Sequence, residues 1–576
     1  MRPTHHLRIA ALAAACCLAA AAAYSRQQPE PVDTVTDTVE VRLVDVDVVV
    51  TDKQGRPVRG LTRADFALFE DGEPVEIEYF SGPGVDGRSG SVDDENDLRR
   101  QVKGLTVDSS VRIAAIYVDD YDLHPFHRTR VLADLREALA GWVAPDVRFM
   151  VARYRSHLEV IVAPTAELSV VLAGLSGDGT KDSRGLDAEL ARRRSQSAIL
   201  NSYQGCDSIP LCSVCFDNWG QMLAYAEDYA RDQETRTAIA VAGLADLISL
   251  LSGLPGRKDV LYVGDGFQQR PGASMFTYVA DVCADHRDGR GEALAAALQF
   301  DESRRYTELA AHAATNRVTF YMLDAAGVRS TSGSSVDFAD RRFAPTMEND
   351  NLRIENLQSS HFTIANETGG KAILNADRPR RDLELLGDEL QATYSLGFTP
   401  RHPPTGRVHL LDVELVGPAA KGRSLRYRRS YRDKQLEARL ADQLVAALFL
   451  GEAPNPAGIQ AYPGETRRVA AKRHELPVEI LLPDRASRPT EPGSAATRQV
   501  RVWMTAVSED GRRTGIRQHL VDLGPGGVEV ERGVHSLVVD IELPEGDFTL
   551  AVGVRDELTG ESSFARLQAS IPTPAS

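Results

Sequence analysis

Two apolar runs in this chain of 576 residues end abruptly in acid. Val111–Val118 runs into Asp119, Asp120 and Asp122, and Val260–Val263 runs into Gly264-Asp265-Gly266. Carboxylates brought together from two strands suit a hard divalent cation such as Mg²⁺ or Ca²⁺, which takes oxygen ligands. Each run reads as a buried parallel strand, and in open α/β sheets ligands bind at the carboxyl ends of such strands. The chemistry expected is binding rather than catalysis. The sequence has no G-x-S-x-G, H-E-x-x-H or phosphate-loop pattern. His124 and His127 flank Pro125-Phe126 just after the acids, but without the regular ligand spacing of a zinc hydrolase. Thr368-Gly369-Gly370 reads as a helix end, and Arg192-Arg193-Arg194 as a solvated face.

The elements that must position these acids alternate. Val111–Val118, Asp146–Tyr154, Leu158–Val162, Lys258–Val263, Val318–Leu323 (ending at Asp324) and Ala392–Phe398 read as strands. Arg128–Val143, Glu167–Leu175, Thr235–Leu251, Glu292–Ala314, Phe362–Thr368 and Leu383–Gln391 read as helices. Strands alternating with helices imply a doubly wound, mainly parallel sheet, hence an α/β fold. Before it, residues 39–83 read as a small β module. Val44, Val46, Val48 and Val50 have the period-two spacing of a half-buried strand, and Asp71-Gly72 signals a hairpin. So small a unit must pack on a neighbour. Residues 84–106 read as a linker, and 176–235 and 266–295 as irregular, cysteine-bearing insertions. Leu436–Leu450 is an amphipathic helix in the connecting segment 434–475, and 476–576 has the strand spacing of an immunoglobulin-like sandwich.

The first residues set the compartment. Arg2 and Arg8, the apolar stretch Ile9–Ala23 and the small residues Ala21-Ala22-Ala23 make residues 1–23 a signal peptide, followed by a polar lead-in over 24–38. Cys16 and Cys17 lack the large apolar residue three positions upstream that a lipid anchor needs. The expectation is a periplasmic or secreted protein with no transmembrane span in the mature chain. Without Arg2 and Arg8 the 66 basic residues become 64 against 82 acidic ones, a net charge of −18 that repels nucleic acid. Cys206, Cys212, Cys215 and Cys283 remain, an even number that implies disulfides in an exported chain, with three connectivities open.

Several segments in order resemble the von Willebrand factor type A family, and within it a bacterial exported subgroup. They include VVVTDKQGRPVRGLTRADFALFEDG, VRIAAIYVDDYD, GRKDVLYVGDG, ATNRVTFYMLDAAGV, IANETGGKAIL, ATYSLGFTP and LRYRRSYRDK, and the resemblance covers residues 40–433. It implies a von Willebrand A-like domain over 107–433 and a metal site of an Asp-x-Ser-x-Ser loop, a Thr and a further Asp. Here both serines are missing. In one register Asp119 takes the aspartate place, with Tyr121 and Leu123 in the serine places. In the other, Asp120, Asp122 and His124 fill the three. Thr180, or second Thr165, would supply the threonine, and Asp265 matches the last ligand. The resemblance thus implies a non-enzymatic adhesion or protein-interaction module, its protein partner docking at the carboxyl edge through a degenerate Mg²⁺ or Ca²⁺ site. The alternative is a metal-free scaffold component of the cell envelope.

Overall fold

The alternating valines near the start form the first strand of the computed structural model, β1 (Val44–Asp52). Val46, Val48 and Val50 are fully buried, while Asp45 and Asp47 are only partly covered. The structure describes residues 44–83, 111–176, 184–203, 218–254, 256–283, 287–329, 344–403, 405–451, 454–470, 472–483, 499–523, 529–531 and 533–572. Residues 1–38, read from the sequence as signal peptide and lead-in, and 84–106, read as a linker, lie outside them. β2 (Phe66–Glu70) and β3 (Glu73–Val75) form the hairpin signalled by Asp71-Gly72, and β4 (Tyr79–Ser81) follows. Both turn residues have positive φ, 51° and 86°, as a tight two-residue hairpin requires.

The largest sheet comes next. β5 (Arg112–Asp119), β6 (Val147–Tyr154), β7 (Leu158–Thr165), β8 (Arg257–Gly264), β9 (Val318–Asp324) and β10 (Lys371–Ile373) lie in the order β10-β9-β8-β5-β6-β7. All neighbours are parallel except β7, which runs antiparallel to β6. β8 and β9 are buried along their whole length because helices cover both faces. One face is covered by α1 (Pro125–Ala138), α2 (Leu168–Leu175) and α9 (Arg380–Leu390), through Val131, Leu135, Val171 and Leu383. The other holds the second half of α4 (Trp219–Ser252), with α7 (Ser303–Thr315) and α8 (Met347–Glu367), through Leu244, Leu247, Tyr306 and Ile364. Among the described residues α4 is the one helix long and apolar enough to cross a membrane; its Leu244, Leu247, Ile248, Leu250 and Leu251 are fully buried in this core.

The two stretches read as irregular insertions are largely helical. α3 (Gly185–Tyr203), the first half of α4, α5 (Ala273–Val282) and α6 (Arg287–Ala297) share a core of Ile199, Trp219, Met222, Phe276, Ala293 and Phe300. Trp219, Met222, Leu223 and Ala226 already have helical spacing, but many polar residues interleave with that stripe. Cys283 is disulfide-bonded. Cys206, Cys212 and Cys215 lie outside the described residues.

The chain returns through β11 (Thr393–Phe398), β12 (Val408–Leu415), β13 (Arg423–Tyr427) and β14 (Ser430–Arg432). These do not extend the parallel sheet. β11 and β13 flank β1, β4 pairs with β11, and β12 joins β2 to β14, giving sheets ordered β13-β1-β11-β4 and β14-β12-β2-β3. They enclose Val46, Val48, Leu68, Tyr394, Leu396 and Phe398. Sequence reasoning counted β11 with the α/β strands. Its alternation of Tyr394, Leu396 and Phe398 with Thr393, Ser395 and Gly397 instead suits an antiparallel sheet covered on one face.

Buried charge joins this sandwich to the amino edge of the parallel sheet. Arg317, just before β9, donates from Nη1 to Asp45 Oδ2 at 2.5 Å and lies 3.5 Å from the Asp47 carboxylate. Arg257 donates from Nη2 to Asp259 Oδ1 at 2.7 Å and sits 4.0 Å from Asp47. Arg428 Nη2 donates to the Asp45 carbonyl at 2.6 Å. Burial raises the Asp47 carboxyl, but Arg317 and Arg257 outweigh it and hold the group below the ordinary carboxylate range. Burial, with Arg317 and Lys434 nearby, pushes the Lys258 ammonium down to about 7.

After α10 (Leu436–Leu450) the chain is all β: β15 (Gln460–Pro463), β16 (Arg467–Ala470), β17 (Arg473–Pro483), β18 (Gln499–Ser508), β19 (Arg517–Asp522), β20 (Glu529–Glu531), β21 (Val534–Pro544), β22 (Gly546–Asp556) and β23 (Ser562–Ile571). They form two antiparallel sheets sharing a core that includes Val478, Val502, Val539 and Leu550. β15 and β16 fall within the connecting segment 434–475; their short, mostly exposed sequences carry little apolar alternation. α10 buries Leu440, Leu444 and Leu448 against Trp503 and Phe564, and Val445 against the α/β core.

Candidate functional site at the carboxyl edge

β5 ends on Asp119, and the chain turns through Asp120–His124 into α1, whose N-terminus His124 caps by accepting from Phe126 N at 3.2 Å. Alternation along the strand sends Asp119 and Asp120 to opposite sides. Asp119 is buried and accepts from Tyr262 Oη at 2.7 Å. Its Oδ1 is also buried, without a hydrogen-bond partner. Burial and the nearby Asp122 push the Asp119 carboxyl up to about 7. Asp120, fully buried, accepts from Arg128 Nε at 2.7 Å. Burial outweighs that arginine and leaves the carboxyl raised.

Asp122 accepts from Arg236 Nη1 at 3.1 Å, and Arg236 also binds Asp232 one turn earlier on α4, at 3.0 Å. Burial leads the upward shift of Asp122 to about 6; Arg236 opposes it and Asp265 adds to it. Asp265, after β8, accepts from the His124 backbone N–H at 2.8 Å and lies 2.9 Å from His127 Nδ1. One carboxylate thereby locks the β5 loop to the β8 loop. A third acid-tipped strand, β9, delivers Asp324, 1% exposed, which accepts from Arg329 Nη2 at 2.8 Å. The same Nη2 reaches the Asp265 carbonyl at 2.6 Å. His361 on α8 completes the layer, its ring 5.4 Å from that of Tyr262, and burial pushes its imidazole down.

The structure therefore brings Asp119, Asp122 and Asp265 to one edge, with Asp120 turned to the opposite face. Thr180 falls in 177–183, outside the described residues. Thr165 ends β7, where its hydroxyl accepts from the Glu167 N–H at 3.1 Å. Tyr121 lies edge-on to Tyr154 at 6.3 Å, and Leu123 is fully buried. Gly185, at the start of α3, presses on the Asp122–His124 backbone so closely that a Cβ would sit 2.5 Å from His124 N. The side chain it lacks is what lets α3 lie against the edge loop.

As arranged, these residues do not fit a divalent ion. Arg128 stands beside Asp120, Arg236 beside Asp122, His127 beside Asp265 and Arg329 beside Asp324, where an ion would have to approach, while Asp119 is held by Tyr262. Among the described residues, none of the edge acids joins a trio of metal-ligand side chains whose donor atoms all lie within 4.8 Å of one another. Sequence reasoning missed Arg128 and Arg329, which lie eight and five positions from Asp120 and Asp324, and Arg236, which is 114 residues from Asp122. Asp324 carried a signal, since it ends an apolar run just as Asp119 and Asp265 do.

No family model matches the chain, and no curated protein matches it. Among solved structures it is similar to the conserved hypothetical protein BatB of Bacteroides thetaiotaomicron, at 10% identity and a TM-score of 0.23, over 49% of this chain and 100% of that one. An aerotolerance-related membrane protein of Bacteroides fragilis aligns at 10% identity and 0.23, over 49% and 98%. The human COPII-coat protein Sec24c aligns at 10% and 0.21, over 57% and 45%.

Proposed function

We propose that this chain is an exported protein-interaction module with a von Willebrand A-like, doubly wound domain, and that its protein partner docks on the carboxyl edge where β5 and β8 meet. The observation that carries this reading is the strand order. From β5 the chain builds outward through β6 and β7, and from β8 outward through β9 and β10, so the direction of winding reverses between β5 and β8. The crevice at such a reversal is where open α/β sheets bind ligands. The loops of Asp119–His124 and Asp265 flank it. Two further features support docking. Phe126, Leu186 and Val328, all in segments bordering this edge, are 67%, 48% and 59% exposed, and exposed large apolar groups beside a polar rim suit a protein interface. Next to Asp324, a groove of about 510 Å³ is lined by Gln269, Ile354, Gln358, Phe362 and Leu374.

In this reading the edge acts without an ion, because Arg236 and His127 already stand beside Asp122 and Asp265. The experiment is a capture from envelope extract with the wild type and with Phe126→Ser/Val328→Ser, each with and without chelator. The reading expects a partner that the wild type retains in chelator and the double variant loses. Equal capture by both proteins would sink it. Saturable Mg²⁺ or Ca²⁺ binding by calorimetry, abolished in Asp265→Ala, would restore an ion to the edge.

A further inference from the structure

Away from the carboxyl edge, two imidazoles stack inside the β sandwich. His402, in the β11–β12 connection, and His409, on β12, lie with ring centroids 4.0 Å apart and planes 16° from parallel. Glu70 at the end of β2 and Asp433 just after β14 face them, and both acids are buried. His402 Nε2 lies 3.1 Å from Glu70 Oε1, and His402 Nδ1 3.2 Å from Asp433 Oδ2. His409 Nε2 lies 3.3 Å from the same Asp433 oxygen. One ligand atom from each of Glu70, His402 and His409 falls within 4.8 Å of the others.

The outer contacts orient these rings. Asp71 Oδ2 sits 2.8 Å from His409 Nδ1, and the Pro403 carbonyl 3.2 Å from His402 Nδ1. The Tyr431 hydroxyl donates to Glu70 Oε1. A histidine whose Nδ1–H is held by a carboxylate or carbonyl presents a bare Nε2 lone pair, which is how metal-ligating histidines are set. His409 is 8% exposed, and its Nε2 is buried without a hydrogen bond. A ligand nitrogen is thus already aimed inward, facing the Asp433 carboxylate oxygen at 3.3 Å.

We propose that Glu70, His402, His409 and Asp433 form a binding site for a divalent transition metal of the Zn²⁺ class. Two imidazole nitrogens and the Glu70 oxygen supply three ligands of a kind zinc accepts, Asp433 lies within 3.3 Å of both imidazoles as a fourth, and magnesium disfavours nitrogen. One ion cannot lie in both planes of a stacked pair, so binding tilts His402, which is on the more exposed connection, out of the stack. The ion ties β2, near the start of the described fold, to the strands that close the sandwich just before α10.

The test is calorimetric titration of Zn²⁺ into the full chain after treatment with chelator, in buffer containing Mg²⁺. The expected result is a saturable equivalent whose affinity falls at least tenfold in His402→Ala and His409→Ala, and by about tenfold or more in Asp71→Asn. Asp265→Ala leaves it unchanged. X-ray absorption of the zinc-loaded protein should show two imidazoles in the ligand sphere. If His409→Ala fails to fold, His402→Ala on the connection carries the same test. Absence of saturable zinc binding, or zinc binding undiminished in the histidine variants, overturns the site.

Discussion

The two ends of the parallel sheet handle charge in opposite ways. At the amino edge, Asp45 and Asp47 of the sandwich meet Arg317, Arg257 and Arg428, so buried ion pairs cross between parts of the fold. At the carboxyl edge, Asp120, Asp122 and Asp324 each pair with an arginine from the α/β layers or the loop beside them. The first arrangement welds two layers together and presents little to solvent. The second balances the acids locally and leaves Phe126 and Val328 exposed beside them. The same residue types thus serve as mortar at one end and as a neutralised floor at the other.

Breaking the mortar should cost most. Arg317→Ala leaves Asp45 and Asp47 short of their main cation and should destabilise the fold by about 3–5 kcal/mol in denaturant unfolding. A loss below about 1 kcal/mol would show that the amino edge is no more structural than the other. The pH dependence sharpens the contrast, because a buried carboxyl at one end and a buried ammonium at the other are shifted in opposite directions. Asp119 is raised to about 7, so its ionised form costs stability as pH climbs from the ordinary carboxylate range towards 7. Asp119→Asn keeps an acceptor for Tyr262 and should add about 2 kcal/mol at pH 8, with no gain near pH 3. Lys258 is lowered to about 7, so its protonated form costs stability below that value. Lys258→Met should therefore stabilise at pH 6 by about 2 kcal/mol, and the gain should fade as pH rises from 7 to 10. Thermal unfolding across pH would read both, and gains of the same pH sense would refute the opposition.

Smaller effects are expected at the exposed edge. Arg236→Met should cost about 1–2 kcal/mol, since Asp122 loses a charged hydrogen bond but keeps some access to water. Phe126→Ser should shift stability by no more than about 0.5 kcal/mol, because its side chain buries little. A large loss in either variant would mean that the carboxyl edge, too, is mortar.

Much of this was legible in the residues. Continuous apolar runs announced β5, β8 and β9, because strands covered on both faces need no polar alternation. Their terminal acids announced an edge, and Asp324 was readable by the same rule. The helices α3 and α5 were harder, since the apolar stripe of α3 is diluted by charge, α5 is only ten residues long, and both pack in a helical subdomain rather than against the sheet. The partners of the acids were not readable, because an ion pair between α4 and the β5 loop depends on how the layers stack. The histidine stack was hidden for the same reason: Glu70 and His402 are 332 positions apart.

By itself, then, the sequence determined the strands and helices of the parallel sheet's layers and which strand ends carry acid, because burial period and turn chemistry are local. Tertiary structure decided the rest. It assigned β11 to a sandwich with β1 rather than to the parallel sheet, put Arg128 and Arg236 beside carboxylates where an ion might have been sought, and gathered Glu70, His402, His409 and Asp433 into one cluster. Those outcomes follow from long-range pairing, in which each buried charge must find its counter-charge among whatever side chains the folded layers bring within a few ångströms.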